Sequence, residues 1–278
     1  MQKVIIIGAN GFIGRHLHRH LSKKYEVVPV YRTTTNLLNR DSVYSFLNEH
    51  AADIIINTVS LGGNEFVKSN NLEILTHNLE MFTNLYEMQN MYEHYINIAS
   101  GAEFDTERRI DSMFESEIFE RMPRTSYAAS KNIISRIIQY KEKFTNLRLF
   151  GCFGAGEKDF RLLPSFYETR LCETFVIESD RYFDYFSVQD FCLVVDHVIQ
   201  ERLTAYDMNC VYETKIKLSE FLKLFCKAQS IPYFVEVKKE IDMPYTGAHM
   251  QLKNSGAYIE GIEKGLTQWS KSFTLQDV

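Results

Sequence analysis

The sequence has no surplus of basic charge: Lys and Arg total 31 against 36 Asp and Glu, a formal net charge of −5. A chain that neutralises several phosphates needs a basic face, so no nucleic-acid partner is expected. Long apolar runs are missing too. Runs such as Val4–Ile7 and Ile54–Ile56 fall far short of the ~20 residues that span a bilayer, and Met1 leads straight into a strand-like run rather than a signal peptide. A cytoplasmic protein with no membrane partner is expected. Cysteine supplies neither a disulfide framework nor a metal site. Cys152, Cys172, Cys192, Cys210 and Cys226 are odd in number, widely spaced and without a CxxC or a histidine at zinc spacing, and read as reduced core thiols. There is no internal repeat, low-complexity tract or long flexible linker.

What is present is an ordinary folded composition, 45% hydrophobic and 24% charged. A length of 278 residues holds one full α/β domain and a smaller lobe, because single cores stop growing at roughly 250–300 residues. Strand-like runs alternate with amphipathic helical stretches. Lys3–Ile7 precedes a helix after Gly14, Glu26–Tyr31 a helix from Asp41, and Asp53–Asn57 a helix through Asn78. Tyr95–Ala99 then precedes a helix through Tyr127 to about Tyr140, followed by a strand Leu147–Gly151. That alternation predicts an α/β fold with a doubly wound parallel sheet. A dinucleotide domain is expected over 1–152, with 186–214 returning to it, and 153–278 forms mainly a substrate lobe. The later part carries turn glycines (Gly154, Gly156), a Leu163-Pro164 break and the aromatic run Tyr182–Phe186.

The segment Gly8-Ala9-Asn10-Gly11-Phe12-Ile13-Gly14 follows a Val-Ile-Ile-Ile strand and opens a helix, the context of a dinucleotide-binding turn. Gly8 permits the tight turn, Gly11 lets backbone N–H groups approach a pyrophosphate, and Gly14 brings helix and strand together. The next strand ends Val30-Tyr31-Arg32-Thr33-Thr34 and offers no carboxylate to an adenosine ribose. Arg32, with Thr33 and Thr34 as extra donors, suits a 2′-phosphate, so NADP(H) is expected over NAD(H).

Tyr127 and Lys131 lie four residues apart on a predicted helix and share a face. An ammonium beside a phenol stabilises phenolate and makes the tyrosine a usable proton donor, which carbonyl reduction requires. Ser100 ends a strand at the carboxyl edge of the sheet, where doubly wound folds bind ligands. Together the glycine turn, Ser100 and Tyr127-Ala128-Ala129-Ser130-Lys131 resemble, in order and spacing, the extended short-chain dehydrogenase/reductase family, and within it the nucleotide-sugar epimerases, dehydratases and reductases.

The resemblance extends along nearly the whole chain. Asn36-Leu37-Leu38-Asn39-Arg40-Asp41 is similar to an adenine-contacting segment, with asparagines in place of two aspartates. Thr58, Val59 and Ser60 fall in the turn beside the cofactor, and Asn78 at a structural asparagine. Arg148–Gly154 resembles the entry to the sugar-nucleotide lobe, with Gly151 replacing the usual asparagine. Phe183–Asp190 resembles a segment that normally starts with arginine, a place Arg181 lies close enough to fill. The resemblance implies that Tyr127 is the acid/base, that Lys131 binds the nicotinamide ribose and tunes Tyr127, and that Ser100 orients the reacting oxygen. It also implies a homodimer, built on the Tyr/Lys helix and on the helix around Asn78–Asn90, where Phe82, Leu85 and Tyr86 are candidates.

Dehydratases of the family place an Asp-Glu pair directly after the catalytic hydroxyl residue, where this chain has Gly101 and Ala102. GDP-fucose synthase-like members add a cysteine and a histidine for epimerisation, at the positions of Ala102 and Arg161 here. The implied reaction is therefore NADPH-dependent reduction of a nucleotide-linked 4-keto-6-deoxy sugar. A 4-epimerase with tightly held NAD and a non-catalytic dinucleotide sensor are the alternatives. Arg161, Ser165, Arg181 and Tyr245 are candidate substrate contacts beside Ser100, Gly101 and Ala102. The Tyr182–Phe186 run reads as core packing in preference to base stacking, and Trp269 as packing.

Overall fold

The computed structural model describes residues 1–63, 71–170 and 173–273, so Cys172 lies outside the described residues. Six parallel strands form the central sheet. Strand β1 (Lys3–Ile7) lies between β2 (Glu26–Val30) and β3 (Ile54–Asn57), and the sheet continues through β4 (His94–Ser100), Phe144–Leu149 and Tyr206–Asn209. The chain runs outward from β1 to β2, then crosses back to β3. This reversal opens a crevice at the carboxyl ends of β1 and β3.

The isoleucine-rich strands are buried on both faces. In β1, Val4 and Ile6 join one core with Leu17 and Leu21 of helix α1 (Phe12–Leu21) and with Phe191, Val194 and Val195 of the helix Val188–Gln200. Ile5 and Ile7 point the other way. They meet Val43 and Leu47 of α2 (Arg40–His50), Phe82 and Leu85 of α3 (Leu72–Glu87), and Ile134 and Ile138 of α4 (Ser126–Ile138). Truncating one of these side chains to alanine costs about 2–5 kcal/mol. Phe82 and Leu85 are thus consumed by their own sheet, and of the three residues considered for a dimer face only Tyr86 remains partly exposed.

Some expected boundaries move. The fifth strand in sequence of the central sheet starts at Phe144, three residues before the expected Leu147, and Gly151 begins a separate short strand, Gly151–Phe153. Its fully buried Thr145, Asn146 and Arg148 interrupt the apolar signal that marks a strand. Helix α1 starts at Phe12, before Gly14.

A third core fills the remainder of the chain around Phe166, Phe221, Phe225 and Trp269, from the helices Leu162–Thr169, Leu218–Gln229 and Ile262–Phe273. The aromatic run packs here: Tyr185 stacks on both Phe183 and Phe221 at 4.6 Å between ring centroids, while Tyr182 stays exposed. Among the described residues no helix is long and apolar enough to cross a membrane.

Candidate active site

The glycine turn is built by contacts that admit no side chain. A β-carbon on Gly14 would lie 2.1 Å from the Gly8 carbonyl oxygen, and one on Gly8, whose φ is +85°, would lie 2.6 Å from Val59 and 2.7 Å from Thr58. Gly8 and Ala9 donate to the Val30 carbonyl at 3.0 and 3.2 Å, which sets the turn against β2, and the Thr58 hydroxyl donates to the Ile7 carbonyl at 2.8 Å. Around Gly11 the space is open, with only the Gly8 oxygen near a β-carbon built there. Asn10 and Gly11 are exposed, and Phe12 and Ile13 half-buried. No side chain caps α1 and no acid stands in its first turn, so its leading N–H groups are available to an anion. This cradle fits a dinucleotide pyrophosphate.

At the end of β2, Arg32 is exposed and makes no ion pair or side-chain hydrogen bond among the described residues. Thr34, expected as an extra donor, spends its hydroxyl on the Tyr31 carbonyl at 2.9 Å and closes its own turn instead. Asn36 accepts from the Leu38 N–H at 3.1 Å, and the Leu37 carbonyl is held by Asn84 at 2.8 Å.

Tyr127 stands in the first turn of α4, which Thr125 caps, and is partly exposed. Its phenol lies near the hydroxyls of Ser100, at the end of β4, and of Ser60, in the loop after β3. The same loop packs on the ring: a β-carbon on Gly63 would lie 3.7 Å from the phenol oxygen. Burial pushes the phenol up from its ordinary value and the Glu103 charge adds to this, while the nearby Ser100 and Ser60 hydroxyls and the Arg161 charge pull it back. One turn along α4, buried Lys131 donates to the Ile98 carbonyl at 2.7 Å. Burial lowers its ammonium to about 8, against an opposing pull from Glu103.

The region after Ser100 differs from an elimination site. Gly101 backs onto Phe150, whose ring would lie 2.4 Å from a β-carbon there, and Ala102 adds only a methyl group. Glu103 and Asp105 are both turned into the interior, at 0% and 3% exposure. Neither carboxylate reaches the crevice.

Of the other candidates, Arg161, Ser165 and Arg181 line one cleft of about 240 Å³ with Phe160, Phe175 and Tyr185. Tyr245 is not among them. It forms a short strand against Ile110 and packs its ring on Phe150 and Phe183 at 5.1 and 5.0 Å.

Residues 4–210 match the NAD dependent epimerase/dehydratase family. The chain belongs to this family. With membership comes the class of NAD(P)-dependent oxidoreductases. A search of curated protein sequences found no match for this epimerase/dehydratase-family chain. Among solved structures it is similar to a GDP-mannoheptose C4 reductase from Campylobacter jejuni with NADP bound (16% identity, TM-score 0.82, 98% of each chain). It is similar also to a dTDP-4-dehydrorhamnose reductase from Clostridium acetobutylicum (17%, 0.82, 99% of this chain and 100% of that one). A third is dTDP-glucose 4,6-dehydratase from Bacillus anthracis in complex with NAD (13%, 0.81, 100% of this chain and 98% of that one). At these identities the likeness establishes the fold.

Two features of this family member escaped the sequence reading. Ser60, expected as a cofactor contact, lies near the Tyr127 phenol; its place in a turn at the sheet's carboxyl edge was the available signal. Glu103 reaches back to the Ser100 N–H at 2.9 Å; the Ser-x-x-Glu spacing of a capping box was that signal.

Proposed function

We propose that the chain reduces the keto group, at C4, of a nucleotide diphosphate-linked 4-keto-6-deoxy sugar with NADPH. The observation that carries this reading is the Tyr127 phenol, near the Ser100 and Ser60 hydroxyls and against the Gly62-Gly63 loop, with Gly101 and Ala102 where elimination requires acids. Such a site can deliver a proton to a carbonyl oxygen, the step that reduction needs. The NADP-bound C4 reductase among the similar structures supports the same reading.

In this account Gly8, Asn10, Gly11, Phe12, Ile13 and Gly14 hold the pyrophosphate, Arg32 the 2′-phosphate, and Asn36 and Leu37 the adenine. Thr58, Val59 and Ser60 flank the nicotinamide, and Lys131 with Tyr127 holds its ribose. Arg161, Ser165 and Arg181 take the substrate's diphosphate and sugar, for which a planar guanidinium suits paired oxygens. NADPH, when bound, supplies hydride to the carbonyl carbon. Ser100 orients the carbonyl oxygen, and Tyr127 gives that oxygen its proton, so that C=O becomes CH–OH. The phenol then regains a proton from water.

The test is purified protein with NADPH and dTDP- and GDP-linked 4-keto-6-deoxy sugars, followed at the nicotinamide absorbance band. Stoichiometric loss of NADPH with formation of the alcohol supports the reductase. A changed sugar without net NADPH use points to an epimerase, and binding without turnover to a sensor; either result overturns the proposal.

A further inference from the structure

Below the crevice, β4 and its neighbours are joined by buried charges that a proton-transfer site does not itself require. Ser100 caps the turn Gly101–Phe104, accepting on its hydroxyl from the Ala102 N–H at 3.2 Å. Glu103 closes the box, with one carboxylate oxygen accepting from the Ser100 N–H at 2.9 Å and the other from Arg148 Nε at 2.9 Å. Arg148 also donates to Asp207 Oδ1 at 3.0 Å and Asn209 Oδ1 at 3.1 Å. On α4, Asn132, the residue after Lys131, donates to the Glu103 carbonyl at 2.9 Å. The side chains of Glu103, Arg148 and Asp207 are all fully buried.

The Glu103 carboxylate accepts from the Ser100 N–H and the Arg148 guanidinium, with the Ser135 hydroxyl and the Asp207 carboxylate nearby. Burial and the Asp207 charge push its carboxyl up from the ordinary value, while the Arg148 guanidinium, the Ser100 N–H and the Ser135 hydroxyl pull it back; the guanidinium donating at 2.9 Å is the partner that holds it as a carboxylate. Buried ion pairs of this type add little net stability over an apolar set of equal volume. The place of this one is therefore the informative fact: it ties the end of β4, the strand Phe144–Leu149 and α4 together at the residue that bears the Ser100 hydroxyl.

We propose that Glu103 is a positioning residue for the reduction: one carboxylate oxygen fixes the Ser100 backbone, the other is anchored on Arg148, and the Ser100 hydroxyl is thereby held against the Tyr127 phenol. The proposal rests on the reading of Tyr127 as the proton donor. It also gives Glu103 an electrostatic signature, because its negative charge disfavours loss of the Tyr127 proton and favours the Lys131 ammonium.

Two variants separate the roles. Glu103→Gln keeps an acceptor for the Ser100 N–H and removes the charge, whereas Glu103→Leu removes both. Each is followed by the kinetics of keto-sugar reduction and by the phenol titration of ¹³C-tyrosine-labelled protein, with the Tyr127 signal assigned through Tyr127→Phe. In Glu103→Gln the Tyr127 phenol titrates at lower pH than in the wild type, with the KM for NADPH unchanged. In Glu103→Leu kcat falls on the order of 10²-fold, the scale of a misplaced reacting group. A Tyr127 titration unmoved by Glu103→Gln, or a Glu103→Leu kcat equal to wild type, overturns the proposal. If the leucine variant does not fold, the near-isosteric glutamine variant decides alone. The titration needs no substrate, so a wild type that reduces no keto sugar while its phenol responds to residue 103 refutes the reductase and leaves the link to Tyr127 standing.

Discussion

Asn78 on α3 donates its side-chain amide to the Ser130 hydroxyl on α4 at 3.0 Å, and the same amide closes two hydrogen bonds with the Leu61 backbone, at 2.8 and 3.0 Å. Ser130 in turn donates to the Tyr127 carbonyl at 2.7 Å. One buried asparagine thus latches the loop that carries Ser60 onto the turn of helix that carries Tyr127. Asn78→Ala leaves a buried backbone pair unmet and costs about 1–3 kcal/mol. A lowered denaturation midpoint together with a raised KM for NADPH is the expected pairing; lost stability with an unchanged KM would separate the latch from the site.

Arg32 is exposed at the end of β2, where an adenosine ribose meets a doubly wound sheet. Arg32→Glu removes a charge-assisted partner from the 2′-phosphate and places a like charge there. The KM for NADPH should rise roughly 10–100-fold while that for NADH holds or falls. Steady-state kinetics with both dinucleotides check this, and equal losses with both would deny Arg32 a role in discrimination.

Lys131 has an ordinary value of 10.5 and is lowered by burial to about 8. Turnover that needs its ammonium should therefore fall as pH rises through about 8. Stability runs the opposite way. The native amine gives up its proton at lower pH than the unfolded one, so the cost of the buried charge is fully present below about 8 and disappears as pH rises toward the unfolded value. Lys131→Met should be inactive yet more stable than wild type at neutral pH, on the order of 1–3 kcal/mol. Urea midpoints measured across the alkaline range should show that gap closing; a gap independent of pH would contradict the assignment.

Phe150 is held between two glycines, since a β-carbon would lie 2.4 Å from its ring at Gly101 and 2.5 Å at Gly247. The ring cannot retreat from one without striking the other. Gly101→Ala should cost about 1–3 kcal/mol through overpacking. Combining it with Phe150→Leu should recover part of that cost, a coupling that a double-mutant cycle on thermal stability measures. Additive losses would mean that the ring moves freely.

The parallel sheet was readable because its strands are isoleucine-rich runs broken by turn signals, and the glycine turn because each glycine answers a separate steric demand. Polar residues buried with partners hid the rest. Thr145, Asn146 and Arg148 disguised the start of their strand, and nothing local reveals that the Arg148 guanidinium would meet Glu103 and Asp207. Tyr245 carries no strand signal of its own, and its pairing with Ile110, 135 residues earlier in the chain, is a tertiary fact. The spacing of Tyr127 and Lys131 placed them on one helix, but the loop that brings Ser60 to the phenol is fixed by Asn78 across two helices, a tertiary fact.

The most direct measurement is turnover by Tyr127→Phe, which removes one oxygen atom from the crevice and leaves the ring packed against Gly63. NADPH affinity, read by fluorescence titration, should stay within about twofold of wild type while kcat for keto-sugar reduction falls by roughly 10³-fold or more. A phenylalanine variant that reduces the sugar at the wild-type rate would contradict the account.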